Sequence, residues 1–390
     1  MTLDGPTKTS ESPGRAPLIV FALPSLCMGG AEVVCVSLAT ELLKRGYRVN
    51  FAFGSQEVEA RLHLPEGART RIFGLERTRE FVLPFAKYLR EERPDVVVAL
   101  LWPFTAACIL AHKLSNIRGD IVVWDHNTLS VQYAARGLGH RMFLAASIAA
   151  TYPLAHARIA VSGGVADDLA QISGIARDRF SVIFNPMLDR PPSDEDKLRA
   201  QTIWGGWSGP RLITVGRFKG QKNYPLLIRA FKMLLARRDA RLLMLGTGDL
   251  LENIRALART EGVADQVIIP GELVNPTSYY ESADLFVLSS DYEGLPTVLI
   301  EALASGLPVV STDCKSGPRE ILVDERFGRL VPVGDADALA RAMDEALSAS
   351  HDGEALKRRA AEFTPDSVAE QYLRVIFPQS EPPREEAAGG

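Results

Sequence analysis

At 390 residues, of which 46% are hydrophobic, the chain exceeds what a single core usually supports and predicts two ordinary domains. A net charge of −4 leaves no electrostatic footprint for nucleic acid, and no nucleic-acid partner is expected. Four scattered cysteines, Cys27, Cys35, Cys108 and Cys314, show neither a C-x-x-C pair nor zinc spacing, which excludes a disulfide scaffold or zinc module and predicts buried thiols in a reducing compartment.

Residues 1–17 are polar and carry no apolar signal core, so a disordered tail rather than a secretory leader is expected there. Short apolar runs then alternate with helical patterns: LIVFALPS (18–25), RVNFAFG (48–54), TRIFGL (70–75), DVVVALL (95–101), DIVVWDH (120–126), RIAVS (158–162) and SVIFNP (181–186). Continuous β-branched runs separated by helices predict a parallel sheet covered on both faces, a Rossmann-like domain over 18–186. Residues 142–161 approach the length of a membrane span, but Pro153, His156 and Arg158 interrupt them, so a buried helix followed by a strand is expected.

Paired prolines, charges and glycines over 187–209 break the rhythm as an interdomain linker does. The pattern restarts with RLITVG (211–216), RLLMLG (241–246), QVIIPG (266–271), DLFVLSS (284–290), PVVST (308–312) and RLVPV (329–333), a second Rossmann-like unit over 210–363. A terminal helix over 364–378 opens with Thr364 as N-cap and Pro365 in the first turn, and a second disordered tail is expected at 379–390. The fold class is therefore α/β, with two Rossmann-like domains facing each other across a cleft. The first 185 residues carry 20 Lys and Arg against 17 Asp and Glu, so the front half is mildly basic.

Ligands in open parallel sheets bind beyond the carboxyl ends of the strands. Three loops of the second unit sit there. GRFKGQKN (216–223) places Arg217 and Lys222 on a glycine-containing loop before a helix, a fork of donors and a point charge suited to a diphosphate, although two solvated charges would look the same. GTGD (246–249) lacks the third glycine of a dinucleotide fingerprint, with Leu251 in its place, and reads as a tight turn whose backbone could still approach a nucleotide. In SSDYEGLPTVLIEALASG (289–306), Glu293 falls in the loop and Glu301 on the following helix. Between them the turn formed by Gly294, Leu295, Pro296 and Thr297 offers backbone N–H groups and a helix dipole to phosphate oxygens, leaving the two carboxylates for sugar hydroxyls. A nucleotide sugar has both kinds of group.

GGAE (29–32), GRFKGQKN and the E-x7-E stretch EGLPTVLIE (293–301), in this order and spacing, resemble retaining GT-B glycosyltransferases of the GT4 type. The resemblance covers most of residues 18–377. It implies that Arg217 and Lys222 bind the donor diphosphate, that Glu301 holds the donor ribose, that Glu293 contacts the sugar being transferred, and that Gly29 and Gly30 let the first loop approach phosphate and acceptor. It also implies that His126, after the fifth strand, reaches the transferred sugar.

Members of that family transfer sugar with retention and without an essential metal. The resemblance therefore implies a nucleotide-sugar donor, expected to be a UDP-sugar, and no further cofactor or metal. D-x-D pairs occur at Asp194/Asp196 and Asp335/Asp337; the first falls in the linker, the second reads as a helix N-cap, and neither is assigned to a metal. DCKSGPREIL (313–322) is similar to an element of the subset that extends glycans on polyprenyl-diphosphate carriers, while a plain helix start with solvated Arg319 and Glu320 is the alternative. A lipid-linked acceptor would bring the front domain to a membrane, with the protein cytoplasmic at its inner face. RTREFVLPFAKYLREER (77–93) and VQYAARGLGHRMFLAA (131–146) mix cations with apolar side chains as interfacial helices do, and as core-facing helices also do. A non-catalytic binding subunit and a nucleotide-sugar epimerase of the same fold are the rival functions.

Overall fold

A computed structural model of the chain describes residues 15–25, 30–55, 64–187, 191–271 and 275–378. The first domain holds a seven-stranded sheet of β1 (Leu18–Leu23), β2 (Arg48–Phe53), β3 (Arg69–Ile72), β4 (Val96–Leu100), β5 (Asp120–Asp125), β6 (Ala157–Ala160) and β7 (Ser181–Val182), in the order β3-β2-β1-β4-β5-β6-β7. The second holds β8 (Arg211–Val215), β9 (Arg241–Leu245), β10 (Val267–Gly271), β11 (Leu285–Leu288), β12 (Val309–Thr312) and β13 (Arg329–Val331), in the order β10-β9-β8-β11-β12-β13. All pairings are parallel. The central strands match apolar runs of the sequence, because a central parallel strand is covered by helices on both faces and cannot alternate with polar residues, while the edge strand β3 is exposed. β1, β4 and β11 are buried along their whole length.

In each sheet the strand order reverses once, between β1 and β4 and between β8 and β11. The loops that leave these neighbouring strands diverge to opposite faces, which opens a crevice at the carboxyl edge of each sheet. The two crevices face each other.

The segment expected as a linker carries more structure than a linker needs. Ser193 caps the helix Asp194–Thr202 with Asp196 completing the capping box. Trp204 is fully buried, with its indole N–H donated to Ser282 at 3.0 Å. The terminal helix Pro365–Ile376 returns to the first domain. Tyr372 packs on Trp124 (5.1 Å between ring centroids), Phe377 stacks on Tyr47 (5.6 Å), and Asp366 pairs with Arg45 at 2.5 Å. The chain thus crosses between domains twice. Residues 142–161 end the helix Leu138–Thr151 and form β6, and among the described residues no helix is long and apolar enough to cross a membrane. Cys35, Cys108 and Cys314 are buried and unbonded. The expected tails fall outside the described residues apart from 15–17, as do Cys27 and Gly29.

Candidate active site

A cleft of about 390 Å³ lies between the domains, within the range of small-ligand sites. Its second-domain wall is built from the loops after β8 and β11, which are stitched together. Ser289 Oγ donates to the Lys222 carbonyl at 2.8 Å, the Asp291 N–H to the Gln221 carbonyl at 2.9 Å, and Asn223 Nδ2 to Asp291 at 2.7 Å. Asn223 adopts a left-handed conformation (φ 43°) and caps the helix Tyr224–Leu235 by accepting from the Leu226 N–H, which turns the loop back toward the cleft.

On this wall Lys222 Nζ meets Glu293 Oε1 at 2.7 Å, and both side chains are largely buried. Glu293 also accepts from Ser290 Oγ at 2.6 Å and Gln221 Nε2 at 3.2 Å, so its carboxylate is fixed. The two residues that the sequence assigned to different parts of one ligand are therefore bonded to each other. An ammonium has three N–H groups, and the pair leaves two for other acceptors. Arg217 is exposed on the cleft and makes no side-chain hydrogen bond or ion pair among the described residues, as does Lys219, which sequence reasoning missed although it lies in the same loop. Next to these cations is the start of the helix Thr297–Ala304. Its N-cap is Pro296 and no side chain caps it, which leaves its first N–H groups without a side-chain partner where Thr297 and Val298 line the cleft. Cations and an uncapped helix start together are chemically suited to an anion.

Glu301 stands one helical turn beyond Thr297 on the same face, and its Oε2 accepts from the Tyr280 hydroxyl at 3.0 Å. It does not line the cleft itself. Gly294 and Leu295 do, and Gly294 has a second task. A Cβ on it would stand 1.8 Å from the His126 carbonyl oxygen, so glycine there lets the two domains touch.

The GTGD turn packs tightly against its neighbouring loop. A Cβ on Gly246 would meet the Gly216 carbonyl oxygen at 2.0 Å, one on Gly248 the Phe218 backbone, and both glycines have positive φ. The turn is pressed against the GRFKGQKN loop, which itself borders the cleft.

The first-domain wall comes from the loops after β1, β4, β5 and β7. Gly30 opens on the cleft with nothing within 4 Å of a Cβ placed there, and Glu32 follows on the same helix. His126 is 93% buried, at the carboxyl end of β5, packed on Trp124 with ring centroids 4.5 Å apart. Neither of its ring nitrogens has a partner among the described residues, nor does Oδ1 of buried Asn185, which also lines the cleft. Buried polar atoms are nearly always paired, so unpaired ones converging on a cleft mark where a ligand or water bonds. Burial holds the His126 imidazole down to about 3, so it is neutral and offers one donor and one acceptor. Asn127, Asn185, Gln221 and Glu32 were not singled out in the sequence; the only signal available was their position at strand ends or in GGAE.

The GPRE element proves to be a bridge between the domains. Glu320 accepts from the Gly163 N–H at 2.7 Å and the Gly164 N–H at 3.2 Å, capping the first-domain helix Gly163–Ser173 from the second domain. Ser316 Oγ lies 2.9 Å from Ser162 Oγ beside it. Arg319 instead points to solvent and pairs with Asp313 and Asp324. Both D-x-D pairs cap helices: Asp196 bonds Ser193, and Asp335 accepts from the Ala338 N–H at 2.8 Å.

Two parallel-sheet domains facing each other across a cleft define a fold of the GT-B kind. The sequence model of Glycosyltransferase Family 4 matches residues 28–187, and that of glycosyl transferases group 1 matches residues 208–363. The chain belongs to the GT4-type glycosyltransferases. It is 27% identical, over 90% of its own length and 97% of the relative's, to an N-acetylgalactosamine-N,N'-diacetylbacillosaminyl-diphospho-undecaprenol 4-alpha-N-acetylgalactosaminyltransferase of Campylobacter jejuni. Its fold matches the apo lipopolysaccharide outer core galactosyltransferase WaaB (TM-score 0.71, 21% identity, 93% of this chain and 100% of that one). It also matches HepE of Anabaena in complex with UDP and glucose (TM-score 0.74, 19% identity, 91% and 98%).

Proposed function

We propose that this glycosyltransferase moves a hexose or N-acetylhexosamine, with retention and without a metal, from a UDP-sugar to a glycan carried on a polyprenyl diphosphate, in the synthesis of a polysaccharide or glycoconjugate. The observation that carries the reading is the convergence of Arg217, Lys219, Lys222 and the uncapped start of the helix Thr297–Ala304 on one cleft that also holds fixed Glu293. In the reaction the bond from the anomeric carbon to the diphosphate oxygen breaks and an acceptor oxygen takes its place. Charge accumulates on the departing diphosphate, so cations and N–H groups already in place there lower the barrier. Glu293 and neutral His126, from opposite domains, accept and donate to hydroxyls of the transferred sugar. Glu301 holds the ribose one turn further along the helix. The acceptor's proton leaves with the departing phosphate.

A thermal-shift titration with UDP-, GDP- and ADP-sugars in EDTA tests the donor site, since a ligand of the native state raises its stability by mass action. Stabilisation by UDP-sugars that disappears in Arg217→Ala supports the assignment. Stabilisation by none of them favours a non-catalytic GT-B subunit, and conversion of donor without any acceptor favours an epimerase.

The lipid-linked acceptor is supported by the helix Leu138–Thr151, which exposes Leu138 (71%), Met142 (63%) and Phe143 (60%) beside Arg136 and Arg141. No Asp or Glu occurs from His126 to Ala166. Apolar side chains among cations suit the inner, anionic face of a membrane. Co-sedimentation with phosphatidylglycerol vesicles, lost with phosphatidylcholine or in a Met142→Ser/Phe143→Ser variant, is the expected result.

A further inference from the structure

The segment from Lys315 to Glu320 holds Glu293 by its backbone. The Glu293 N–H donates to the Lys315 carbonyl at 3.0 Å, and the Ser316 N–H donates to the Glu293 carbonyl at 3.1 Å. Tyr292 and Lys315 pair beside them as a parallel bridge. Gly317, with φ 96°, lies so close to the same turn that a Cβ on it would stand 2.7 Å from Pro296 Cδ and 2.9 Å from the Gly294 carbonyl oxygen. The Glu293 carboxylate therefore stands on a backbone that this segment clamps.

The same segment reaches the first domain through a chain of hydrogen bonds. The Val165 N–H donates to Ser162 Oγ at 3.2 Å, Ser162 Oγ and Ser316 Oγ lie 2.9 Å apart, and Ser316 Oγ donates to the Gly294 carbonyl at 3.1 Å. A hydroxyl has one proton to give. Ser316 gives its own to Gly294, so the Ser162 hydroxyl donates to Ser316 and the polarity of the whole chain is fixed. It runs from the helix Gly163–Ser173 to the turn beside Glu293, through two hydroxyls that are both buried. Aligned bonds in such surroundings strengthen one another. Next to the chain Glu320 accepts from the Gly163 and Gly164 N–H groups, and a Cβ on Gly164 would stand 2.2 Å from Ser316 Cβ, so helix start and segment meet with no room for a side chain.

We propose that Ser162, Ser316 and Glu320 are positioning residues for Glu293, through which the start of the helix Gly163–Ser173 sets the orientation of that carboxylate. This rests on the glycosyl-transfer reading above, in which Glu293 contacts the transferred sugar. None of the three lines the cleft, so they act through Glu293 and not on substrate. The carboxylate of the second domain is then in register only while the first domain, which carries His126, is docked against it. Both groups that meet the sugar are set by one contact.

The test follows UDP release from UDP-N-acetylglucosamine and UDP-N-acetylgalactosamine with a synthetic polyprenyl-diphosphate-linked N-acetylhexosamine as acceptor. UDP thermal shifts and hydrogen exchange of the peptide holding Glu293 are measured beside it. Ser316→Ala and Ser162→Ala are each expected to lower kcat about tenfold, with the donor KM and the UDP shift unchanged, and to quicken exchange at the Glu293 amide. Because the chain acts as a unit, the double variant loses no more kcat than either single one. Glu320→Gln, which keeps a carbonyl acceptor for the helix start, retains more kcat than Glu320→Ala. Variants that melt earlier yet keep wild-type kcat overturn the proposal, since a merely structural bridge behaves in that way. A wild type that turns over neither donor counts against the glycosyl-transfer reading. Exchange at Glu293 quickened by Ser162→Ala then still upholds the positioning, and exchange unaltered in both serine variants overturns it.

Discussion

The Lys222 ammonium and the Glu293 carboxylate, 71 residues apart in the chain, form a 2.7 Å ion pair in which both side chains are mostly shielded from water. The pair locks the loops after β8 and β11 into one wall, and it sets the role of Lys222 apart from that of Arg217.

Breaking a shielded pair from one side leaves the other charge uncompensated. Lys222→Met should therefore cost about 3 kcal/mol of stability in urea denaturation. Arg217 has no such partner, so Arg217→Ala should stay within about 0.5 kcal/mol of wild type while transfer falls about 100-fold. Equal destabilisation by the two substitutions would contradict the division of roles.

Gly294 abuts the His126 backbone, where an added Cβ would stand 1.8 Å from the carbonyl oxygen. Gly294→Ala should part the domains at this edge, raising the radius of gyration in small-angle scattering and slowing transfer more than about tenfold, because displaced reactive groups lose their alignment. An unchanged scattering curve with an unchanged rate would count against the contact.

Asp125 lies beside His126, accepting from the Tyr152 hydroxyl at 3.0 Å, and burial pushes its carboxyl up to about 7 from the ordinary 3.8. The folded state thus holds this proton more tightly than the unfolded state. The contribution is complete below about pH 4 and is lost as pH rises through about 7, by at most ~1.4 kcal/mol per pH unit. His126 acts in the opposite sense: with its folded value depressed to about 3, stability is lost as pH falls below 6.5. Melting temperatures of Asp125→Asn should accordingly gain on wild type between pH 4 and pH 7 and hold that gain above it. A difference independent of pH would show that Asp125 does not titrate there.

Glu320→Ala removes the acceptor of the Gly163 and Gly164 N–H groups and should cost about 1 kcal/mol. Hydrogen exchange at those amides should quicken, whereas Arg319→Ala, which breaks only exposed pairs, should leave both exchange and stability nearly unchanged. Unaltered exchange in Glu320→Ala would remove the bridge.

The central strands among the described residues were legible because they are short apolar runs such as VVVAL or LFVL, buried on both faces, whereas the edge strand RTRI is exposed along its length. Apolar runs report their own surroundings directly. Arg217, Lys222, Glu293, Gly294 and Thr297 were legible for the same local reason, since each follows a strand whose carboxyl end opens on the crevice of its sheet.

What the sequence determined by itself is therefore the list of elements, their parallel arrangement and the loops that must carry the chemistry. Only the tertiary structure decided which distant groups meet: Lys222 with Glu293, Gly294 with His126, Glu320 with Gly163, and the terminal helix with Trp124 of the opposite domain. Periodicity and turn chemistry record whether a residue faces core or solvent. They carry no information about which partner arrives from 71 or 157 residues away, because that is settled when the two sheets pack and the chain closes the long loops between them.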